Sequence, residues 1–230
     1  VVLGGSGEGE ANLELRPGAD GELLASGEVR LARVERWWPH THGPSPLYSV
    51  ALELGGEAGE TRADLGHVGF RDLEPGPGSD HDLLRDGLDL HLNGSRVFAR
   101  GAVWTPLDPV ALSVPPERLE AALEQVRAAG MNMVRIPGTG AYEDRAFHDL
   151  CDRLGLLVWQ DFAFANFDYP IADEDFRAAV VTEARQQLAE LGGRPSLAVL
   201  CGNSEVEQQA AMLGLDPALG RGELFGELLP

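Results

Sequence analysis

The sequence predicts a mixed protein, α/β plus β: a small β-sandwich over residues 1–87, then over residues 88–230 the first four βα units of a (β/α)8 barrel, the TIM barrel. Three observations carry that prediction. Alternating polar and apolar runs separated by Pro/Gly turns fill the first part. From about residue 88 short apolar runs alternate with helical patterns, the rhythm of a buried parallel sheet. The open doubly wound sheet shares this rhythm, but its dinucleotide-binding form wants Gly-x-Gly-x-x-Gly after the first strand, where this chain has Gly101-Ala102-Val103-Trp104-Thr105-Pro106.

In the first part, Ala11–Leu15 and Tyr48–Leu54 alternate with the period of half-buried strands. The turns read as Pro17-Gly18-Ala19-Asp20-Gly21, Gly55-Gly56-Glu57-Ala58-Gly59 and Glu74-Pro75-Gly76-Pro77-Gly78. In the second part, Val97–Ala102 is expected as a strand. A helix then opens at Pro116-Glu117, carries Leu119, Leu123 and Val126 on one face, and stops at Gly130. Met131–Ile136 is the next strand. A helix with Phe147, Leu150, Cys151 and Leu154 ends at Gly155, and Leu156–Trp159 follows as a third strand. A longer helix with Phe176, Val180 and Leu188 runs to Gly192-Gly193, ahead of a fourth strand at Leu197–Leu200. A closed barrel needs eight such units, and half a barrel leaves a strand edge unpaired, so the rest of the barrel is expected beyond Pro230. The start at Val1 is likewise expected to lie inside a longer protein, in a bacterial cytoplasm.

Composition narrows the function. The 18 basic residues, all arginine, stand against 37 acidic ones and give a formal charge of −19, which repels phosphate backbones and anionic lipid, so nucleic acid and membrane partners are not expected. The absence of lysine excludes a Walker-type phosphate loop and a Schiff base. Cys151 and Cys201 lie in apolar segments and suggest neither a disulfide nor zinc. His40 and His42 stand on a proline-flanked loop with no third ligand nearby, which is weak support for a metal. No cofactor is expected.

In a (β/α)8 barrel functional side chains follow the C-terminal ends of the strands. Here those positions carry Trp104-Thr105, Arg135, Gln160-Asp161 and Asn203-Ser204-Glu205, although loops are wet and polar residues follow many strands for that reason alone. Glycoside hydrolysis needs two carboxyl groups across the scissile bond. Glu205 is the candidate acid, with Asn203 and Ser204 able to hydrogen-bond sugar hydroxyls; spacing alone is equally satisfied if Glu205 and Glu207 simply open the next helix. Asp161 is a second carboxylate, or the anchor of Arg135 in a bidentate pair. Trp104, Trp159, Phe162 and Phe164 offer faces for a pyranose ring, with core packing the alternative for Trp159. Gly202-Asn203-Ser204-Glu205-Val206 lacks the closing glycine of a nucleophile elbow, so an acyl hydrolase using Ser204 is weakly supported.

Several segments in one order resemble family 2 glycoside hydrolases, particularly the β-mannosidases. They are Trp37-Trp38-Pro39-His40-Thr41-His42-Gly43 with Pro46-Leu47-Tyr48, Val68-Gly69-Phe70-Arg71, Asn93-Gly94 and Gly101–Pro106. They continue with Gly130-Met131-Asn132-Met133-Val134-Arg135, Tyr142-Glu143, Trp159-Gln160-Asp161-Phe162 with Phe164-Ala165, and Gly202-Asn203-Ser204-Glu205. The resemblance implies an immunoglobulin-like domain before the barrel and a retaining exo-glycosidase acting on a β-linked glycoside or oligosaccharide, β-mannosides first. It makes Glu205 the general acid/base and Arg135, Asp161, Asn203, Ser204 and Trp104 the sugar-binding or site-supporting residues. The partner glutamate falls on a later strand, outside this chain, so the chain alone is expected to be inactive; the alternative is a non-catalytic carbohydrate-binding or structural fragment. Two departures stand on the sugar-binding side: Ser204 where the family usually has asparagine, and Pro137 where β-mannosidases commonly carry tryptophan.

Overall fold

The computed structural model describes residues 2–4, 8–18, 22–56, 59–76 and 88–229. Parts of the three expected turns, at 19–21, 57–58 and 77–78, lie outside the described residues. The architecture is a set of antiparallel sheets followed by a parallel β–α sheet.

The antiparallel part holds β1 (Val2–Gly4), β2 (Gly9–Glu10), β3 (Glu14–Pro17), β4 (Leu23–Ser26), β5 (Tyr48–Gly56), β6 (Gly59–Val68), β7 (Leu73–Pro75), β8 (Leu90–Leu92) and β9 (Ser95–Val97). They form a sheet of order β2-β1-β5-β6, a β3-β4 hairpin and a β7-β8-β9 sheet. The strand expected at Ala11–Leu15 is displaced to β3, and Leu15 and its neighbours there are exposed. β7 pairs with β8 across the expected division at residue 87, in the register Leu73↔Leu92. Residues 90–97 therefore pair with the antiparallel part rather than opening the parallel one.

The parallel sheet follows chain order through β10 (Gly101–Val103), β11 (Met133–Ile136), β12 (Leu157–Asp161) and β13 (Leu197–Cys201). The single strand expected over 97–102 is two strands in two sheets. Val97 ends β9, Gly101 begins β10, and Phe98 between them is 74% exposed. The crossing is held by Asn132, whose side chain accepts from Arg100 N at 2.8 Å and donates to the Phe98 carbonyl at 3.1 Å. Gly101 passes so close to the Met133 carbonyl that a Cβ would overlap it, which explains a glycine at the start of β10.

The helices follow their local chemistry. α1 (Pro116–Ala128) starts with proline in its first turn, where no N–H is needed, and buries Leu119 and Leu123. α2 (Arg145–Leu154) is capped by Asp144, which accepts from Phe147 N at 3.1 Å, and is closed by Gly155 in the left-handed conformation. α3 (Glu174–Leu191) is capped by Asp173 and carries Glu174 and Asp175 at its positive end. Leu188, expected on its packed face, is exposed. A short α4 (Val206–Met212) follows β13.

Side chains alternate across the sheet. Val134, Ile136 and Val158 face α1 and α2 and share a core with Leu123, Phe147 and Cys151. Met133 and Leu157, on the opposite face, pack at the feet of their strands against Trp37, Leu90, Leu92 and Val97. Among the described residues no helix is long and apolar enough to cross a membrane.

Candidate active site

Farther along that second face the apolar pattern stops. Arg135 follows Met133 by two on β11, Trp159 and Asp161 follow Leu157 by two and four on β12, and the register pairs Arg135 with Trp159. A guanidinium, an indole and a carboxylate thus meet at the C-terminal ends of adjacent strands. Asp161 has no exposed side-chain area, against 23% for Arg135. Arg135 Nη2 and Nε donate to Asp161 Oδ2 at 2.6 and 3.1 Å. Trp159 Nε1 donates to Asp161 Oδ1 at 2.7 Å, so both carboxylate oxygens are satisfied without water. Arg135 also lies over the Trp159 ring, its Cζ 5.3 Å from the centroid. The hydrogen bonds to Asp161 hold the Arg135 guanidinium above its usual range, burial opposes them, and Glu205 adds a smaller push upward.

Arg135 has one arm left, and its Nη1 donates to Glu205 Oε1 at 3.1 Å. Glu205 stands in the turn after β13 with φ 60° and ψ 26°, the left-handed region that costs a non-glycine residue on the order of 1 kcal/mol. Its side chain makes no cap bond to α4 and is 51% exposed at the mouth. Asn203 Oδ1 instead accepts from Val206 N at 3.4 Å, and Glu207 pairs with Arg221 at 2.8 Å. The two glutamates that spacing could not separate therefore do different things.

The other candidates lie nearby but not in the mouth. Trp104 has the parity of Val134, not of Arg135. It is 7% exposed and packs with Phe147 at 5.1 Å between ring centroids, in the core under α1 and α2. Its Nε1 donates to Glu143 at 2.8 Å, and burial pushes the Glu143 carboxyl upward. One edge of Trp104 also lines a hollow of about 400 Å³ with Pro106, Leu112, Pro137 and Thr139. Ser204 is 2% exposed and its N–H donates to the Phe164 carbonyl at 3.0 Å. A Cβ at Gly138 would lie 2.9 Å from the Ser204 Cβ. The segment after Arg135 that departs from the resembled pattern thus packs directly on Ser204, the other departure. Phe162 and Phe164 are buried in a core with Val180 and Leu224. Cys201, half-buried, donates its Sγ–H to the Asn203 carbonyl at 2.8 Å.

His40 Nε2 contacts the Met131 carbonyl at 2.7 Å, and His42 Nδ1 the Thr41 hydroxyl at 2.9 Å. Among the described residues no group of three or more His, Cys, Asp or Glu side chains could hold a metal ion. Trp159, expected either as a face for a sugar ring or as a core residue, is tied to the site through Asp161. Its spacing of two from Asp161 was the available signal, because one strand face carries both.

Comparison with known proteins follows the same lines. No protein-family model matches the chain. A β-mannosidase of Capra hircus is 35% identical over 211 residues, 88% of this chain and 23% of that protein. "Beta-mannosidase B" of Aspergillus niger is 33% identical over 180 residues, 78% of this chain and 21% of that protein. A crystal structure of the β-D-mannosidase of Dictyoglomus thermophilum superposes with a TM-score of 0.70 and 30% identity, over 90% of this chain and 25% of that one. The exo-chitosanase of Amycolatopsis orientalis shares the fold at a TM-score of 0.62 and 19% identity, over 85% of this chain and 23% of that one. The chain spans about a quarter of the length of these proteins.

Proposed function

We propose that this chain, a homologue of the β-mannosidases of glycoside hydrolase family 2 over most of its length, supplies the acid/base half of a retaining β-glycosidase site. In this reading residues 1–87 form an immunoglobulin-like sandwich and residues 88–230, apart from the β8–β9 hairpin that pairs with β7, the first half of a (β/α)8 barrel, whose later strands bring the nucleophilic glutamate. The observation that carries it is Glu205. It is the carboxylate at the mouth whose backbone is held in a left-handed conformation and whose side chain is drawn across β12 to Arg135. Strained conformations of this kind persist where the surroundings over-determine them, and they gather at functional sites.

The chemistry runs by double displacement. Protonated Glu205 gives its proton to the glycosidic oxygen while the partner carboxylate attacks the anomeric carbon, and the aglycone leaves as an alcohol. Ionised Glu205 then takes a proton from the water that hydrolyses the glycosyl intermediate. The bond from Arg135 Nη1 fits the ionised form, ready for the second step. Arg135 stays in place when Glu205 is protonated because Asp161 holds its other two nitrogens. Asn203 and Trp159 stand beside this pair as candidates for contacts to sugar hydroxyls and the sugar's apolar face. A β-mannoside is the preferred substrate on the strength of the relatives' names. An acyl hydrolase using Ser204 is disfavoured, since a nucleophile must be reachable and Ser204 is 2% exposed.

The test needs the protein that contains the rest of the barrel, assayed on aryl β-mannosides, β-glucosides and β-galactosides. Glu205→Ala is expected to lower kcat/KM on a poor leaving group by roughly 10²- to 10⁴-fold. Azide should restore turnover on activated substrates, since it attacks without a general base. Full activity of Glu205→Ala on the poor leaving group overturns the assignment.

A further inference from the structure

The Trp37–Gly43 loop has no part in the chemistry above, yet it makes some of the longest-range hydrogen bonds in the molecule. At the foot of β12, His40 N donates to the Gly155 carbonyl at 2.9 Å. At the foot of β11, His40 Nε2 meets the Met131 carbonyl at 2.7 Å, and Asn132 Nδ2 donates to Thr41 Oγ1 at 3.0 Å. The same Asn132, fully buried, holds Arg100 just before β10. Trp37, also fully buried, donates its Nε1–H to the Asp152 carbonyl at the end of α2 at 2.8 Å. Gly155 is required where the loop docks: it has φ 68°, and a Cβ there would lie 2.6 Å from His40 N.

We propose that residues 37–43 are a buckle that positions the active site from the opposite end of the sheet. His40 and Thr41 set the height of β11 and β12 along the barrel axis, and the strands carry that setting to Arg135 and Asp161. The path is short and stiff. Met131 to Arg135 is four residues, about 13 Å of extended chain. The β11–β12 ladder has an unbroken register from Met133↔Leu157 to Ile136↔Gln160, whereas β12 and β13 shift register between Val158 and Trp159. A regular ladder transmits an axial displacement, and slipping it by one residue would turn Arg135 off the mouth. The proposal rests on the reading of Arg135, Asp161 and Glu205 as the site, but its test reads geometry and not turnover.

The probe is the indole N–H of Trp159, hydrogen-bonded to Asp161 at 2.7 Å and lying under the Arg135 guanidinium. In ¹H–¹⁵N spectra of the full chain, each of the four tryptophan indoles is expected to give one signal, and Trp159→Phe would identify the relevant one. His40→Ala and Thr41→Val are each expected to displace the Trp159 signal by more than its linewidth. His40→Gln, which keeps an N–H for the Met131 carbonyl, should bring it back toward its original position. Leu119→Ala, a cavity on the other face of the sheet, should lower stability and leave the signal in place. A Trp159 signal unmoved in folded His40→Ala and Thr41→Val, or moved as far by Leu119→Ala, overturns the buckle. Should His40→Ala fail to fold, Thr41→Val, which loses a single bond, decides the matter. A displaced signal together with an inactive complete protein would overturn the glycosidase reading and leave the buckle standing.

Discussion

At the foot of the parallel sheet, Met133 and Leu157 are sealed under Trp37, Leu90, Leu92 and Val97, and the antiparallel part supplies hydrogen bonds to the incoming backbone. At the mouth, two residues farther along the same strand face, the sheet carries Arg135 and Trp159, with Asp161 beyond them and Glu205 reaching in from a strained turn. On the proposed function the same two strands serve stability at one end and chemistry at the other, the division a (β/α)8 architecture would give. A substitution at the foot should cost folding energy. One at the mouth should cost reactivity and little stability.

The largest expected effect tests the foot. Trp37→Ala removes a fully buried indole and leaves the Asp152 carbonyl without its donor, so a loss of about 3–5 kcal/mol in urea unfolding is expected. A loss below about 1 kcal/mol would mean that the foot is not a continuous core.

A second effect concerns pH and lies beside the foot, in α2. His148 is buried against Phe147, and burial, with help from Arg194, depresses its pKa from 6.5 to about 4. The folded state therefore holds His148 neutral while the unfolded chain binds a proton below about 6.5. Stability from this group is complete above that pH and falls as pH drops toward 4, by up to about 1.4 kcal/mol per unit. Asp152, whose carboxyl burial pushes upward, works in the opposite sense at the acid end. Unfolding midpoints measured from pH 7 to 5 should decline, and the decline should flatten in His148→Gln.

The smallest effect has the opposite sign and tests the mouth. Glu205→Gly relieves a left-handed conformation at the loss of one half-exposed ion pair, so stability should hold or rise by as much as about 1 kcal/mol. A loss of 2 kcal/mol or more would make Glu205 a structural residue and blunt the contrast between the two ends.

Much of the second part was legible because its signals are local. Pro116, Asp144, Gly155 and Asp173 mark helix ends through φ preferences and cap bonds that involve a few neighbouring residues. Apolar runs marked β11 and β12 because both faces of a covered parallel strand are dry, and they marked β13 although it is only partly buried and Leu200 is exposed. The 97–102 segment misled because three-residue strands carry too little pattern to reveal which sheet they join, and Asn132, 32 residues from Arg100, decides where the chain crosses over. The β7–β8 pairing across residue 87 was hidden for the same reason.

The sequence by itself determined the order of strands and helices from Pro116 onward, the acidic and lysine-free composition, and the presence of Arg135, Asp161 and Glu205 at or just after the ends of strands, since these depend on periodicity, composition and turn chemistry. Only the tertiary structure decided which side chains meet. Trp104 and Ser204 lie near the C-terminal ends of strands as Arg135 does, yet one faces the helices and the other lies beneath Gly138. Glu205 and Glu207 are two residues apart and part company because the left-handed turn aims the first at Arg135 while the second pairs with Arg221. The facing of a strand tip follows from its parity and register in the sheet, and both are set by contacts with residues far away in the chain.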